Sequence, residues 1–173
     1  MTKKCPYCGH ENIAGTDQCR KCLHSLTYSD LPAPGKEKLQ KMIMTERVAD
    51  FSSKTPPIDV KPSTSVEEVI ERMQALPTNG CVLVCDENNQ LLGTASIRDI
   101  LLKVAGTVKD RSTFPVSKIM TPNPECLNKD ASLAYALHKM SIGKFRHVPV
   151  LENGKPIGVV STRDLIEYLT KKK

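Results

Sequence analysis

With 173 residues, 39% of them hydrophobic and 25% charged, the chain reads as a globular protein of one or two domains. No apolar run approaches the roughly 18 residues that a membrane span needs, so no membrane partner is expected. A net charge of +6, carried in part by Lys171, Lys172 and Lys173, favours anionic partners, nucleotides and nucleic acid among them, without choosing between them. Aromatic residues make up 4% and tryptophan is absent, which leaves little to stack single-stranded nucleic acid on.

The opening residues, Met1 to Pro6, carry charge with no apolar segment behind it. No secretory leader is therefore expected, and the expected compartment is the cytoplasm. Thiols stay reduced there, so the seven cysteines read as metal ligands or buried thiols and not as a disulfide framework. Cys5-Pro6-Tyr7-Cys8 and Cys19-Arg20-Lys21-Cys22 are two CxxC knuckles. Two such thiolate pairs complete a tetrahedral sulfur site. Gly9 follows the first knuckle, where a tight turn wants positive φ; Leu23 holds the matching place after the second. Residues 9–18, with Asn12 and Gly15 among them, form a loop able to bring the knuckles together.

A segment this short cannot bury a core and needs a staple to fold. Residues 1–30 thus resemble a short zinc ribbon with Cys5, Cys8, Cys19 and Cys22 as ligands and Zn2+ as the metal. Iron in a rubredoxin-like site is the alternative, since the ligand set alone admits it. A redox CxxC lacks its βαβ context here. His10 and His24 stand beside the site and are not expected to be ligands. Basic and acidic side chains nearly balance along the ribbon, so a structural or protein-contact role is favoured over nucleic-acid binding.

Residues 31–50 read as a linker and a lead-in helix. Pro32 and Pro34 stiffen the linker, and Leu39, Met42 and Ile43 form one apolar stripe in a helix from Lys36 to about Val48. Residues 51–106 then read as a first unit. Ile58-Asp59-Val60 is a short strand. Ser65 caps a helix with Val66, Val69, Ile70 and Met73 on one face and Glu67 and Glu68 in its first turn. Cys81-Val82-Leu83-Val84-Cys85 has the unbroken apolar character of a strand covered on both faces, with its two cysteines as core. Residues 86–89 turn the chain back into Leu91-Leu92-Gly93-Thr94-Ala95, and a second helix runs from Ser96 to Val104.

Residues 107–173 repeat the plan and end in the basic tail. Ile119-Met120-Thr121-Pro122 leads in, and a strand is expected near Glu125-Cys126-Leu127. Ser132 begins a helix whose core face is Leu133, Ala136, Leu137 and Met140. Arg146 and His147 precede Val148-Pro149-Val150, where the proline suggests a strand edge or end. Pro156-Ile157-Gly158-Val159-Val160 returns, and a last helix runs to about Leu169.

The two units share one signature. Gly158-Val159-Val160-Ser161-Thr162-Arg163-Asp164 matches Gly93-Thr94-Ala95-Ser96-Ile97-Arg98-Asp99 at its Gly, Ser, Arg and Asp. Each reads as a strand end, a cap and the first turn of a helix. Ser161 or Thr162 can accept from a free backbone N–H, and Asp164 sits where the helix dipole favours an anion. Such a junction suits a phosphate, and Asp164 adds an acceptor for a ribose diol. One copy alone reads first as an ordinary helix cap, but repetition across this length marks two copies of one structural unit.

The duplicated unit, from roughly Val48 to Leu169, resembles a tandem CBS domain pair, the Bateman module. The fold class it implies is α+β: two repeats of strand–helix–strand–strand–helix packed by a pseudo-twofold, behind the small ribbon. It also implies two clefts, each able to hold an adenosine derivative. One would use Ser161, Thr162, Arg163 and Asp164, with Arg146 and His147 on the phosphate and Thr55, Pro56 and Cys81 to Leu83 beside the adenine. The other would use Ser96, Arg98 and Asp99, with Thr121 to Cys126 and Val148-Pro149 on the adenine side. Gly80 and Cys81 hold the places of Arg146 and His147 in the first unit, so the Asp164 cleft is expected to be the better site.

Expected ligands are AMP, ADP or ATP, with S-adenosylmethionine disfavoured by the arginines. The resemblance further implies a regulatory role, a homodimer, and a protein partner for the ribbon. A nucleic-acid-binding regulator using the ribbon and the basic tail is the rival. No nucleophile–base–orienter set is visible and a four-cysteine site is closed to substrate, so no enzyme activity is expected.

Overall fold

A computed structural model describes residues 2–5, 7–26, 43–50, 57–76 and 80–171. The linker at 31–35, most of the lead-in helix, Thr55, Pro56 and the end of the basic tail lie outside the described residues.

The cysteine-rich segment is a hairpin. β1 (Thr2–Lys4) pairs antiparallel with β2 (Glu11–Ile13), Thr2 opposite Ile13. Cys5, Cys19 and Leu26 are its only fully buried apolar residues among those described, a core too small to hold 25 or so residues by burial alone.

The first repeat runs β3 (Asp59–Val60), α1 (Val66–Ala75), β4 (Cys81–Cys85), β5 (Leu91–Ser96) and α2 (Ile97–Lys103). The second runs β7 (Leu127–Asn128), α3 (Leu133–Gly143), β8 (His147–Glu152), β9 (Lys155–Ser161) and α4 (Thr162–Lys171), after a short β6 (Thr121–Pro122). Ser65 caps α1 by accepting from the Glu68 N–H, and Ser132 caps α3 by accepting from the Tyr135 N–H, each at 3.2 Å. Both helices therefore begin where a hydroxyl meets a free N–H. In both repeats the first strand pairs parallel with the second and the second antiparallel with the third. A register shift falls at the same place in each, between Val84 and Cys85 and between Val150 and Leu151.

The strands are ordered β3-β4-β5-β6 in one sheet and β7-β8-β9 in the other. β6, although it precedes the second repeat in sequence, pairs with β5 of the first, Gly93 opposite Pro122. A Cβ on Gly93 would come within 2.9 Å of the Thr121 carbonyl oxygen. The glycine of the repeated signature is thus the place where a neighbouring backbone approaches.

The segments leading into the repeats are exchanged. Val116 and Ile119 lie in the first repeat's core with Val66, Val69, Val82 and Val84, while Val48 lies in the second's with Leu127, Leu133, Val148 and Val160. Backbone bonds fix the exchange: Val116 N–H to Thr64 O and Val66 N–H to Phe114 O in one, Val48 N–H to Ala131 O in the other, all at 2.8 Å. The exchanged side chains of Val48, Val116 and Ile119 are each fully buried, worth about 1.5–3 kcal/mol of transfer apiece. The sheets meet where Leu83 and Cys85 of β4 touch Val159 of β9, which explains why all five residues of β4 are buried.

Two expectations are corrected. The lead-in helix does not continue to Val48. Its described end is residues 43–45, and a separate 3-10 turn occupies Val48–Asp50. The second repeat captures the chain between them, because the Leu133 N–H donates to Glu46 O at 2.9 Å and Arg47 bridges Ser132. Pro149 is not in an edge strand, since β8 is central in its sheet. It is tolerated because β7 reaches only Val150 and Leu151, leaving β9 alone beside Pro149 among the described residues. Among the described residues, no helix is long and apolar enough to cross a membrane.

Candidate ligand cleft and cysteine cluster

At the β9–α4 junction Asp164 Oδ2 accepts from the Ser161 N–H at 2.8 Å and from its hydroxyl at 2.7 Å. Ser161 Oγ in turn accepts from the Asp164 N–H at 3.1 Å. The β5–α2 junction repeats this lock. Asp99 Oδ2 accepts from the Ser96 N–H at 2.9 Å and its hydroxyl at 2.6 Å, and Ser96 Oγ accepts from the Asp99 N–H at 3.4 Å. Both are reciprocal caps with the aspartate at the third helical position. The signature's serine and aspartate therefore hold each other before they hold anything else.

The junctions differ at one atom. Asp99 Oδ1 also pairs with the Lys103 ammonium at 2.9 Å, and Lys103 donates to the Ile119 carbonyl at 2.5 Å. Burial alone would raise the Asp99 carboxyl, but the Ser96 bonds and Lys103 hold it below the usual carboxylate range.

A cleft of about 860 Å³ lies between the repeats and reaches both junctions. Ser96, Arg98, Asp99 and Thr121 line one side; Arg146, His147, Ser161, Thr162 and Arg163 line the other. Where the resemblance implies two clefts, part of each expected set lines one continuous cleft. Lys144 and Phe145, which the sequence reading did not single out, also line it. A Cβ on Gly143 would fall 1.8 Å from the Phe145 ring, so that glycine lets the ring lie back against the end of α3.

Asp164 is half-buried and not part of the cleft wall. Val148 and Pro149 are buried in β8 and do not line it. Thr55 and Pro56 lie outside the described residues. Gly80 faces His147 across the cleft, a Cβ there coming 3.5 Å from His147 Nε2. His147 therefore stands between the repeats and is not reserved for one junction. Burial lowers its pKa and Arg146 and Arg163 act in the same direction, against the pull of Asp164. The ring is neutral at neutral pH and can donate through one nitrogen and accept through the other.

In the ribbon, the Sγ atoms of Cys5, Cys8, Cys19 and Cys22 all lie within 4.8 Å of one another. Cys5 and Cys22 are 3.7 Å apart, Cys8 and Cys19 3.6 Å. Sulfurs bound tetrahedrally to one ion at about 2.3 Å would be separated by about 3.8 Å, so the donor set fits a metal. The knuckles are built alike: the Gly9 N–H donates to Cys5 O at 2.8 Å and the Leu23 N–H to Cys19 O at 2.9 Å. Gly9 takes φ +73° as its turn requires, and Leu23 takes φ +59° in its place.

Asn12, read from sequence only as a loop residue, is buried. Its amide donates to Cys19 Sγ at 3.6 Å and to His10 O at 2.9 Å, and its Oδ1 accepts from the Arg20 N–H at 3.0 Å. Burial works to raise the Cys19 thiol, but the N–H groups of Cys22 and Lys21, with Asn12 and Cys8, bring it down to about 6. Cys22 is pushed up by burial and by the neighbouring sulfurs. A cluster that resists carrying more than part of its negative charge is one that a cation stabilises.

The ribbon lies against the second repeat. His24 stacks on Tyr7 with ring centroids 5.0 Å apart, and its Nε2 bonds the Tyr135 hydroxyl on α3 at 2.8 Å. Gly9 sits against Asn128 of β7, where a Cβ would come 3.0 Å from the amide nitrogen. His24 is thus occupied away from the sulfurs. No spacing rule could have paired it with Tyr135, because the two are 111 positions apart.

Comparison with known proteins agrees with this architecture. The CBS domain family model matches residues 48–106 and 116–171. The CBS domain-containing protein CBSCBSPB5 of Arabidopsis thaliana is 40% identical over 103 residues, which is 60% of this chain and 19% of that protein. The chain therefore spans about a fifth of that relative's length. An uncharacterized conserved protein from Pyrococcus horikoshii superposes with a TM-score of 0.66 at 29% identity, covering 72% of this chain and 92% of that one. CBSX2, solved in complex with AMP, superposes with a TM-score of 0.62 at 27% identity, covering 73% and 98%. Carrying the family's repeat twice, with the lead-ins exchanged between copies, the chain belongs to the CBS domain family as a tandem pair.

Proposed function

We propose that this protein is a regulatory module that binds an adenine nucleotide between its repeats and carries a structural zinc ribbon on the second of them. The observation that carries the reading is the meeting of two capped helix N-termini and four cationic side chains, Arg98, Lys144, Arg146 and Arg163, on one cleft. Free N–H groups and cations favour phosphate, while the Asp164 carboxylate, with one oxygen held by Ser161, offers its other to a ribose diol. AMP, ADP and ATP all fit that chemistry, and AMP is the ligand of the related CBSX2 structure. A sulfonium such as S-adenosylmethionine would meet like charge there.

In the ribbon, four thiolates favour Zn2+, with iron as the alternative. The metal supplies the folding energy that the small ribbon core lacks. Exposed Ile97, Leu101 and Leu102 on α2 and Ile166 on α4 suit a second copy, giving a homodimer. On the ribbon, exposed Ile13 and Leu23 suit a protein partner. The expected setting is the cytoplasm.

Calorimetric titration with AMP, ADP, ATP and S-adenosylmethionine tests the reading, beside a metal assay on the purified chain. Saturable binding of at least one adenine nucleotide and one zinc per chain are expected. Absence of binding by all three nucleotides would remove the nucleotide reading.

A further inference from the structure

The two junctions match in their caps and part company one helical turn later. After Asp99 that position is Lys103, whose ammonium is 2.9 Å from Asp99 Oδ1. After Asp164 it is Tyr168, and among the described residues no lysine or arginine pairs with Asp164. Both oxygens of Asp99 are therefore engaged, one by Ser96 and one by Lys103. Asp164 has the same engagement to Ser161 alone.

Lys103 is also more than a surface ion pair. Its ammonium reaches the Ile119 carbonyl at 2.5 Å, and Ile119 is buried two residues before Thr121, a cleft residue. A cation anchored at both ends is costlier to displace than one held by a carboxylate alone.

We propose that Lys103 acts as an internal occupant of Asp99, closing the first junction to a ribose diol, so that each chain binds one nucleotide, at the Asp164 junction. This rests on the reading of the cleft as a nucleotide site. A diol reaching Asp99 must either share Oδ1 with the ammonium, on that oxygen's remaining acceptor site, or displace it and leave it with the Ile119 carbonyl only. At Asp164, which lies off the cleft wall next to the lining residues Ser161, Thr162 and Arg163, no cation has to be displaced. The lysine thereby sets the stoichiometry of the pair and makes two junctions with the same signature unequal. The inequality does not depend on Arg146 and His147, which stand on the shared cleft.

The test is calorimetric titration of AMP into the full chain. Wild type should bind one equivalent. Lys103→Met, which keeps the stem and removes the charge, should bind two, or bind the second at least tenfold more tightly than wild type does. Lys103→Arg keeps a cation at that position and should stay at one. Lys103→Gln serves the same purpose should the methionine variant prove unstable. One equivalent at unchanged affinity in both neutral variants would overturn the role of Lys103 while leaving the nucleotide reading intact, as would two equal sites in wild type. No heat from wild type or variants would overturn the nucleotide reading itself, and this inference with it.

Discussion

Asp164→Asn separates two roles that the β9–α4 junction combines. The carboxylate accepts two bonds from Ser161, at 2.8 and 2.7 Å, as part of a helix cap, and on the proposed reading its other oxygen would take a ribose. Asparagine keeps one oxygen for the cap but loses the charge, which roughly halves the strength of such bonds. Out of the ~0.5–2 kcal/mol that a cap contributes, about 0.25–1 kcal/mol should be lost. At roughly 2–4 °C per kcal/mol for a chain of this size, the unfolding midpoint falls by about 0.5–4 °C. The ligand role is larger. Two hydroxyls on a carboxylate contribute about 1.5–3 kcal/mol each, and the amide nitrogen facing them is a donor that cannot accept. Even half of that sum is about 1.5–3 kcal/mol, at least tenfold in affinity. The assay is thermal unfolding without ligand beside AMP calorimetry on the same sample. A variant that loses a few degrees yet binds AMP within threefold of wild type would show that the carboxylate is a cap and nothing more.

The ribbon and the cleft give three further expectations. Chelation should abolish hydrogen-exchange protection at the Cys5 and Cys19 amides, which donate to His10 O and His24 O at 2.8 Å, while β4 stays protected. Ribbon amides that stay protected after the metal is stripped would contradict a metal-dependent fold. Gly9→Ala and Gly15→Ala both place a side chain at positive φ, +73° and +93°, but only Gly9 faces the second repeat, Gly15 having nothing within 4 Å. Both should weaken the hairpin, at a cost of about 1–2 kcal/mol, and only Gly9→Ala should speed exchange at the Lys129 amide beside Asn128. Equal exchange there in both variants would argue against docking through Gly9. His147 has a folded pKa below its ordinary 6.5, so between that value and the folded pKa the unfolded chain binds more protons than the folded one. Stability is then full above about pH 6.5 and falls with pH through that window. Wild type should lose more stability than His147→Asn between pH 7.5 and 5, and parallel curves would refute the assignment.

The serine caps, the CxxC knuckles and the apolar stripe of α1 were legible because each is made between residues three or four apart, where chain geometry leaves few choices. Ser65 with Glu68, Ser161 with Asp164, and Cys5 with Gly9 are contacts of that kind. The duplication was legible because a repeated signature needs no contact to be seen. Lys103 was within the same reach of Asp99, four positions on, and could have been noticed. Its hold on Ile119 could not, being a bond across sixteen positions to a backbone carbonyl.

By itself, then, the amino-acid sequence determined the four-cysteine segment, the two strand–helix–strand–strand–helix units and the residues that cap their helices. Tertiary structure alone decided that Val48 and Val116 pack in each other's repeat, that one cleft gathers both junctions, and that His24 reaches Tyr135. The reason is physical: local hydrogen bonds are chosen by spacing along the chain. Burial is chosen by which apolar surfaces remain uncovered once the units fold, and nothing in the spacing of Val48 or Val116 says whose core has room for them.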